Sequence, residues 1–468
     1  MTSERPTISE RIVIVGAGPA GVRAAEILVA AGLRPTVLDE APASGGQIYR
    51  RQPTELRRAY GELYGFEAPK AKRLHDAFER LRAAVDYRPD CMVWNLAQNH
   101  LHILHAGEGE TVPFDRLILA TGAIDRVLPF DGWTLPGVFT LGGAQVALKS
   151  QACAVGRRTV FLGSGPLLPY IAYQYAKAGA EVVAVLDTAP RAAKLRALPG
   201  LLAGGATFLK GVYFLAWLRA HGIAYEHGVT PVRAVGDQAV EGLRYTDARG
   251  RERSLDCDAI AFGYGLKSEL QLADLAGCDF RFDPVSHNWV LALDENGRTS
   301  VQGVYGAGDG TAIRGADAAE LSGARAAHTL LGDLGLGGQD AALRRLNRRL
   351  GRIDKLRSAL ETAFPYPRHL AQSIPDSCIV CRCEVVTAGE IRGAVHDLGA
   401  DDINRAKAFC RVGMGRCQGR VCEPAAAEIV AAALDRDLAA VGRFRAQAPV
   451  KPVPIAALAE KGPEVLAS

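Results

Sequence analysis

The chain lacks the features that mark nucleic-acid-binding, membrane-spanning and secreted proteins. Its formal charge is only +4 over 468 residues, and the basic residues are not blocked together, so nucleic-acid binding has no support. No apolar run approaches the ~20 residues that a membrane span needs. No long apolar stretch precedes the first predicted strand, which argues against a secretory signal and predicts a cytoplasmic protein.

The cysteine pattern also lacks the spread of a disulfide framework. Six of the ten cysteines fall between residues 378 and 422, and in a reducing cytoplasm such clustering favours a metal over disulfides. Cys381 and Cys383 form C-x-C, and Cys417 and Cys422 form C-x4-C. Two such pairs supply the four thiolates that an iron–sulfur cluster needs. The isolated cysteines are interpreted as buried core thiols: Cys91, Cys153, Cys257 and Cys278.

Three interpretations of the four-cysteine pattern stay open. Four cysteine ligands suit [2Fe–2S] or zinc, and [2Fe–2S] is favoured because zinc ribbons prefer C-x2-C pairs. A vestigial site is the third interpretation. Cys378 and Cys410 could substitute as ligands but are expected to pack nearby. Around the cysteines, Thr387 and Glu390 have the spacing of a capping box, which predicts that a helix follows the C-x-C pair.

A first dinucleotide signature lies near the N-terminus. Gly16, Gly18 and Gly21 form G-x-G-x-x-G directly after the apolar run RIVIV and before a predicted helix. The glycines allow a tight turn and a close approach of a pyrophosphate to the backbone. Asp39 ends the next predicted strand, about 20 residues after the first glycine, where an acid binds a ribose hydroxyl, and Glu40 is the alternative.

A second, incomplete signature follows the strand RTVFLGSG. Gly163 and Gly165 occupy the first two glycine positions, but Leu168 occupies the third. A branched side chain there would push the helix away from the strand or crowd a pyrophosphate. Asp187 ends the following strand and would suit a ribose. The ligand of this fold stays open between NAD(P), another adenine nucleotide and none.

Further motifs resemble the FAD domain of two-dinucleotide flavoproteins. They are SGGQ at 44–47, LILATGA at 117–123 and GVYGAGDG at 303–310. The resemblance implies bound FAD, with Asp309 on the ribityl chain and the loop 45–47 lining the flavin. The other residues that it implies for FAD are Gly46, Gln47, Thr121, Gly122 and Gly308.

The resemblance predicts an α/β, two-dinucleotide-binding-domain flavoprotein, with a Rossmann-like FAD domain and an inserted NAD-type domain. The expected divisions are 1–125 with 288–340 for FAD, 126–287 for the NAD-type domain and 341–376 for a linker. A small helical [2Fe–2S]-binding domain of the BFD type is expected at 377–440, and an extended tail at 441–468. Disulfide reductases of this fold carry C-x-x-C near the flavin, whereas GGQIYRRQ has no cysteine. We therefore expect electrons to leave the flavin through the four-cysteine site.

The segments LDEAPASGGQIYRR, TGAIDRVLPFDGWTLPGVFTLGGAQ, CRCEVV and GMGRCQGRVCEP extend the resemblance to nearly the whole chain. Together they resemble the larger subunit of multi-subunit bacterial amine dehydrogenases. This family includes the A subunit of opine (octopine/nopaline) oxidases, a hydrogen cyanide synthase subunit, hydroxyproline dehydrogenase α subunits and part of heteromeric sarcosine oxidase. The resemblance implies that this chain is the electron-accepting subunit. A second FAD-dependent, amino-acid-oxidase-like β subunit would oxidise a C–N bond of the substrate to an imine. Water would then cleave the imine to an amino acid and a 2-oxo acid.

The resemblance also implies further components. These components are FMN at the interface between subunits and a small ferredoxin-like subunit. No residue of this chain is assigned a catalytic role. The alternatives are an NAD(P)H-dependent flavin/[2Fe–2S] reductase, a hydrogen cyanide synthase or hydroxyproline dehydrogenase subunit, and a non-enzymatic iron–sulfur scaffold or redox sensor.

Overall fold

The computed structural model describes residues 10–56 and 58–459. The first nine residues of the predicted FAD domain, residue 57 and the last nine residues of the predicted tail therefore lie outside the described residues. The first sheet has five strands, all parallel. Its three interior strands are mainly apolar and buried because both faces are covered, whereas Asp86–Arg88 at one edge is polar and half-buried. In spatial order they are Val304–Gly306, Arg116–Leu119, Ile12–Val15, Thr36–Leu38 and Asp86–Arg88.

A second five-stranded parallel sheet lies between the two sequence pieces of the first. Apart from Arg158, two of its strands, Arg158–Ser164 and Ala259–Tyr264, are fully buried, as a sheet covered on both faces requires. In spatial order the strands are Ala224–His227, Glu181–Asp187, Arg158–Ser164, Ala259–Tyr264 and Val138–Thr140. Two parallel α/β units in one chain confirm the predicted two-dinucleotide fold.

The remaining strands form small antiparallel sheets. Two are three-stranded: Cys91–Ala97, His100–His105 and Glu108–Pro113; and Thr230–Val235, Gly242–Thr246 and Glu252–Asp256. Three are pairs: Ala123–Asp125 with Leu266–Ser268, Phe280–Asp283 with Asn288–Leu291, and Ile379–Cys381 with Val386–Thr387.

Helices cover the sheets and build the C-terminal part of the chain. Around the first sheet lie Pro19–Ala30, Tyr60–Tyr64, Ala68–Leu81, Gln271–Leu275 and Ala316–Asp333, with 3-10 turns at Gly65–Glu67, Arg82–Ala84 and Gly308–Gly310. The second unit has Leu141–Ser150, Leu167–Lys177, Arg191–Leu202 and Ala206–Ala220. After these come Asp340–Ala363, Arg368–Gln372, Ala388–His396, Ile403–Cys410, Glu423–Leu434, Leu438–Val441 and Ala456–Ala459.

The chain passes from the second unit back to the first before residue 287, the predicted end of the NAD-type domain. Leu272, Ala273 and Cys278 belong to the buried cluster that also contains Val13 and Leu117 of the first sheet. Their segment therefore packs with the first unit, and we propose that the NAD-type unit ends near residue 265.

The segment treated as a linker is a long helix that packs on both units. Asp340–Ala363 contacts the helices Ala316–Asp333 and Arg191–Leu202. Its buried positions include Leu346 and Leu350 on one side and Ala359 and Ala363 further along. None of the helices in the described part of the chain is long and apolar enough to cross a membrane.

The C-terminal domain packs three helices around a buried, alanine-rich helix, Glu423–Leu434. Thr387 and Glu390 form the predicted capping box at the start of Ala388–His396. Asp402 caps Ile403–Cys410 by accepting from two backbone N–H groups. The chain after Val441 runs back over the first unit, where the Val450 N–H donates to the Trp94 carbonyl at 2.9 Å.

Candidate functional site

The first glycine loop lies at the carboxyl edge of the first sheet. Gly16 has φ +106°, and an added Cβ would lie 2.3 Å from the Ala120 carbonyl oxygen, so only glycine fits there. Gly18 caps the helix Pro19–Ala30, leaving its first N–H groups free for an anion. Gly46 lies opposite, since its added Cβ would be 2.9 Å from the Gly18 Cα. The loop around Gly46 therefore faces a helix N-terminus suited to phosphate.

The acid after the second strand of this unit bonds to the glycine loop itself. Asp39 Oδ2 accepts from the Ala17 N–H at 2.8 Å, and Oδ1 accepts from the Ala41 N–H at 3.0 Å. Burial raises the pKa of Asp39 to about 6, although both N–H bonds oppose that change. Glu40, the alternative acid, is exposed and forms an ion pair with Lys451 of the C-terminal segment.

The other residues assigned to FAD by resemblance lie at the same edge of the sheet. Thr121 follows one central strand, and its hydroxyl donates to the Glu269 carbonyl at 2.8 Å. Gly122 leaves open space where a side chain would be. Asp309 follows the edge strand, is half-buried, and accepts from the Arg314 and Gly315 N–H groups. Burial raises the pKa of Asp309.

Gly308 and Gln47 are two further residues assigned to FAD by resemblance. The Gly308 N–H donates to the Ser322 hydroxyl at 2.8 Å, and Gln47 accepts from the Arg50 guanidinium at the surface. The carboxyl edge of a parallel sheet is where such folds bind nucleotides.

The acidic residue of the second unit that was expected to bind a ribose already contacts other side chains of the protein. Asp187 is fully buried, forms an ion pair with Lys194 and accepts from the Tyr225 hydroxyl at 2.9 Å. Lys194 also lies 5.0 Å from the ring centroid of Phe364, at the end of the long helix. The carboxylate expected to meet a ribose is thus neutralised within the protein.

The glycine loop of this unit keeps its tight turn, but its third position is filled. An added Cβ at Gly163 would lie 1.8 Å from the Gly263 carbonyl oxygen, whereas Gly165 has ordinary room. Leu168 is fully buried in the core cluster with Phe161 and Tyr175. Its side chain therefore stabilises the fold of this unit.

The four predicted cysteine ligands lie on two loops of the C-terminal domain and approach one another in two pairs. Cys381 and Cys422 are buried and within hydrogen-bonding reach of each other. Cys383 and Cys417 are half-buried and also in reach of each other. Cys378 and Cys410 instead bond the carbonyl oxygens of Ile379 and Ala406.

Backbone N–H groups surround the sulfur of Cys381. Its hydrogen bond with Cys422, followed by bonds from the Gly413, Glu384 and Cys383 N–H groups, lowers the pKa of the Cys381 thiol to about 6. This pair therefore holds one thiolate at neutral pH, while the same bond and burial raise the pKa of Cys422. Burial raises the pKa of Cys383, although the Cys417 N–H donates to its sulfur.

A glycine makes room for the second loop. At Gly415 an added Cβ would lie 2.2 Å from the Cys383 Cβ, so a side chain there would displace the ligand. Two thiols per pair, with N–H donors aimed at sulfur, fit the two ligands per iron of a [2Fe–2S] cluster. In residues 10–56 and 58–459 no group of three or more His, Cys, Asp or Glu side chains is placed to hold a single metal ion.

Contacts that sequence reasoning missed join the cysteine loop to the first unit. Arg420 donates to Glu269 at 2.6 Å, and Lys267 forms an ion pair with Glu423 directly after Cys422. The Gln271 amide donates to the Gln418 carbonyl oxygen at 2.7 Å.

The segment 267–271 also touches the proposed flavin residues. The Ser268 hydroxyl donates to the Asp309 carbonyl at 2.7 Å, and the Glu269 N–H donates to the Gly122 carbonyl at 3.0 Å. One segment therefore contacts both candidate sites. No motif marks it, because its partners in the cysteine loop lie 147 and 151 residues further along the chain.

The isolated cysteines divide into two classes. Cys91, Cys257 and Cys278 are buried, as predicted. The interpretation of Cys153 as a buried thiol is wrong, because it lies exposed in the loop after the helix Leu141–Ser150.

Comparison with known proteins identifies the class. Residues 10–326 match the family model described as pyridine nucleotide-disulphide oxidoreductase, and residues 378–461 match the sarcosine oxidase A3 domain. The chain belongs to the pyridine nucleotide-disulphide oxidoreductase family and is an FAD-dependent oxidoreductase.

Particular relatives cover almost the whole chain. It is 38% identical to the A subunit of the opine oxidase of Agrobacterium tumefaciens, over 96% of this chain and 91% of that protein. It is 32% identical to hydrogen cyanide synthase subunit HcnB of Pseudomonas protegens, over 97% and 98%. The L-proline dehydrogenase structure from P. horikoshii shares the fold, with a TM-score of 0.69 at 21% identity over 96% of this chain and 79% of that one. The family resemblance found in the sequence is confirmed.

Proposed function

We propose that this chain is the electron-accepting and electron-transferring FAD/[2Fe–2S] subunit of a heteromeric dehydrogenase. The observation that carries the proposal is the segment 267–271, which contacts the flavin-site residues on one side and the cysteine loop on the other. A single segment hydrogen-bonded to both redox sites would hold them at a fixed separation. Such positioning is what a protein contributes to electron transfer between cofactors.

Different residues of the first unit would bind different parts of FAD. Gly16, Gly18 and Gly21 would present backbone N–H groups to the pyrophosphate, and Asp39 or Glu40 would bind the ribose. Asp309 would bind the ribityl chain. The loop with Gly46 and Gln47, together with Thr121, Gly122 and Gly308, lines the remaining surface.

The residues of the C-terminal domain would hold the cluster. Cys381, Cys422, Cys383 and Cys417 would supply the four thiolate ligands of the cluster. N–H groups at Cys381 stabilise the negative charge of its sulfur. Bound FAD and an iron–sulfur cluster supply two-electron and one-electron redox chemistry, respectively.

The relatives support a proposal for the substrate class and the partners. Because these proteins are named as subunits of opine oxidase and hydrogen cyanide synthase, we expect a second, amino-acid-oxidase-like flavoprotein β subunit. That subunit would oxidise the C–N bond of an opine or imino/amino acid to an imine, which is then hydrolysed to an amino acid and a 2-oxo acid. A small ferredoxin-like subunit, FMN at the interface and a cytoplasmic location complete the proposal.

The alternative is a self-contained NAD(P)H-dependent reductase. Gly163 and Gly165 keep the turn that such a nucleotide needs, but Asp187 is already bound to Lys194 and Tyr225. This arrangement favours an electron source other than NAD(P)H. Binding of another adenine nucleotide is still compatible with it.

The test begins with the isolated chain prepared without oxygen. Iron, acid-labile sulfide and FAD are measured per chain, and the dithionite-reduced protein is examined by electron paramagnetic resonance. We expect two irons of one cluster, lost in Cys383→Ser and kept in the control Cys378→Ser. Zinc in place of iron, or no metal, would contradict the cluster.

The second part of the test adds the partner. The chain is mixed with a panel of opines and imino acids in the presence of the purified amino-acid-oxidase-like β subunit, with an artificial dye as acceptor. We expect dye reduction only when both subunits are present. Rapid bleaching of the flavin by NADH in the isolated chain would instead support the reductase.

A further inference from the structure

A lysine without an ion-pair partner is buried where the second unit packs against the first. Lys149 lies in the last turn of the helix Leu141–Ser150, and only 3% of the residue is exposed. In the described part of the chain no carboxylate forms an ion pair with it. Its ammonium donates to one acceptor, the Ile48 carbonyl oxygen at 3.2 Å. Burying an ammonium is costly unless its charge and its three N–H groups find partners, so this cation is incompletely satisfied by the chain itself.

Neighbouring groups do not supply the missing partner. The Tyr64 ring centroid is 6.0 Å from the Lys149 ammonium, at the outer limit of a cation–π contact. The carbonyl oxygens of Leu148 and Lys149, at the end of the helix, accept from the Arg58 guanidinium at 2.9 and 2.6 Å. Burial lowers the pKa of Lys149 to about 8, so the side chain is charged at neutral pH. A buried cation of this kind requires an anionic partner.

The loop that Lys149 contacts follows the glycines assigned to the flavin, and two uncharged side chains already hold it. Three consecutive carbonyl oxygens after Gln47 each accept a hydrogen bond from a buried side chain. The pairs are Ile48 with Lys149, Tyr49 with His75 at 2.8 Å, and Arg50 with Tyr64 at 2.9 Å.

Only one of these three side chains brings a charge to the loop. Burial lowers the pKa of His75 to about 4 and raises the pKa of Tyr64 to about 12, so both are neutral at neutral pH. His75 and Tyr64 belong to helices of the first unit, whereas Lys149 comes from the second. Because uncharged side chains suffice to hold the loop, the charge of Lys149 must serve another purpose.

The helix that carries Lys149 is joined to the first unit at both ends. At its start the Gly142 N–H donates to both carboxylate oxygens of Asp125 at 3.1 Å, three residues after Gly122. An added Cβ at Gly142 would lie 2.5 Å from Asp125 Oδ2, so this face of the helix packs against the first unit. Lys149 follows two turns later on the same face. The face therefore runs from the Gly122 turn to the Gln47 loop, the two segments between which the flavin ring is assigned.

We propose that Lys149 contacts the isoalloxazine ring of FAD and stabilises the negative charge that the ring gains on reduction. The inference rests on the proposed binding of FAD by the first unit. Two electrons from the partner flavoprotein and one proton from solvent would leave the ring with one negative charge. A cation held beside the ring favours that state and raises the midpoint potential of the flavin. A higher potential suits a subunit that accepts electrons.

The flavin ring explains the unpaired ammonium better than the other anions do. The pyrophosphate of FAD already has the N–H groups at the start of the helix Pro19–Ala30. A nucleotide on the second unit would lie at the glycine loop with Gly163, whereas Lys149 bonds a carbonyl of the first unit. A carboxylate of another subunit could not reach a side chain that is buried inside this chain.

The experiment compares flavin midpoint potentials in the purified full chain. Lys149→Met removes the charge and keeps an apolar side chain of similar length. Flavin absorbance is followed while the protein equilibrates with a redox dye of known potential. We expect the ratio of reduced to oxidised flavin at a fixed potential to fall about tenfold, because a unit charge within about 10 Å has an effect of that size inside a protein. For a two-electron couple this corresponds to a midpoint lower by about 30 mV.

Matched variants separate the charge from the packing of the loop. Lys149→Arg keeps a cation and should retain most of the potential. Tyr64→Phe removes a hydrogen bond to the same loop without changing its charge, and should leave the potential as it is. Lys177→Met removes an exposed cation of the second unit and controls for net charge.

Unfolding of the flavin-free protein separates a role toward the flavin from a structural one. Because Lys149 is a buried charge without an ion pair, its replacement by an apolar side chain of similar size should not lower the urea midpoint. A lysine kept only to join the two units would lower that midpoint when it is removed.

Three results would overturn the proposal. They are an unchanged flavin potential in Lys149→Met, an equal shift in Tyr64→Phe, and loss of FAD from Lys149→Met while the other variants retain it. The last result would assign the ammonium to the phosphates of FAD. The proposed function fails separately: an unchanged chain purified without FAD contradicts it, whereas normal FAD content with an unaffected potential contradicts only the role of Lys149.

Discussion

Arg420 donates a hydrogen bond to Glu269 at 2.6 Å, although 151 residues separate them in the sequence. Both side chains are largely buried, with 16% and 11% exposed. The pair fixes the loop between Cys417 and Cys422 against the segment that contacts the Thr121–Gly122 turn. It is therefore the point at which the cysteine site and the flavin site share a structural support.

Removing one charge of this pair should weaken the contact between the domains. Glu269→Gln leaves the Arg420 guanidinium buried without its carboxylate, which costs about 3 kcal/mol. We expect urea unfolding of the apoprotein to show this loss. The control is Glu252→Gln, which breaks the exposed ion pair with Arg244 and should cost about 0.5 kcal/mol. Equal changes in the two variants would contradict a special role for the buried pair.

A methyl group placed beside Cys383 should disturb the cysteine site selectively. Gly415→Ala puts a Cβ 2.2 Å from the Cys383 Cβ, so one of the two loops must move. We expect iron content to fall several-fold while FAD content is unchanged, measured on the same anaerobic preparation. Gly351→Ala is the control, since its added Cβ meets open space on a helix. Normal iron content in Gly415→Ala would show that the loop adapts without cost.

Local patterns in the sequence predicted the first glycine loop and its acid, because turn, strand and helix follow one another within 30 residues. They also predicted the capping box at Thr387, where the interacting groups are three residues apart. Contacts between distant segments were out of reach. The pairing of Arg420 with Glu269, and the neutralisation of Asp187 by Lys194, depend on how whole units pack, and no local spacing encodes that.

NADH should reduce the flavin of the isolated chain slowly. The Asp187 carboxylate already accepts from Lys194, the Tyr225 hydroxyl and the Ala189 N–H, so a ribose would have to displace a buried ion pair. Stopped-flow absorbance of the flavin after mixing with NADH measures the rate. Dithionite serves as the control, because it reduces flavin without needing a nucleotide site. Bleaching by NADH within milliseconds would show that the pair opens readily.

The stability of the flavin-free protein should fall as the pH rises from about 4 to about 6, owing to Asp39. Burial holds its pKa near 6 in the folded state, above the ordinary value of 3.8, so folded protein binds the proton more tightly than unfolded chain does. Its stabilising contribution is therefore complete below the unfolded pKa and is lost as the pH passes the folded one. A shift of this size corresponds to about 3 kcal/mol. In Asp39→Asn the side chain cannot ionise, so urea midpoints measured across this range should lose that slope. An unchanged slope would mean that the two N–H donors at Ala17 and Ala41 outweigh burial and keep the carboxylate charged.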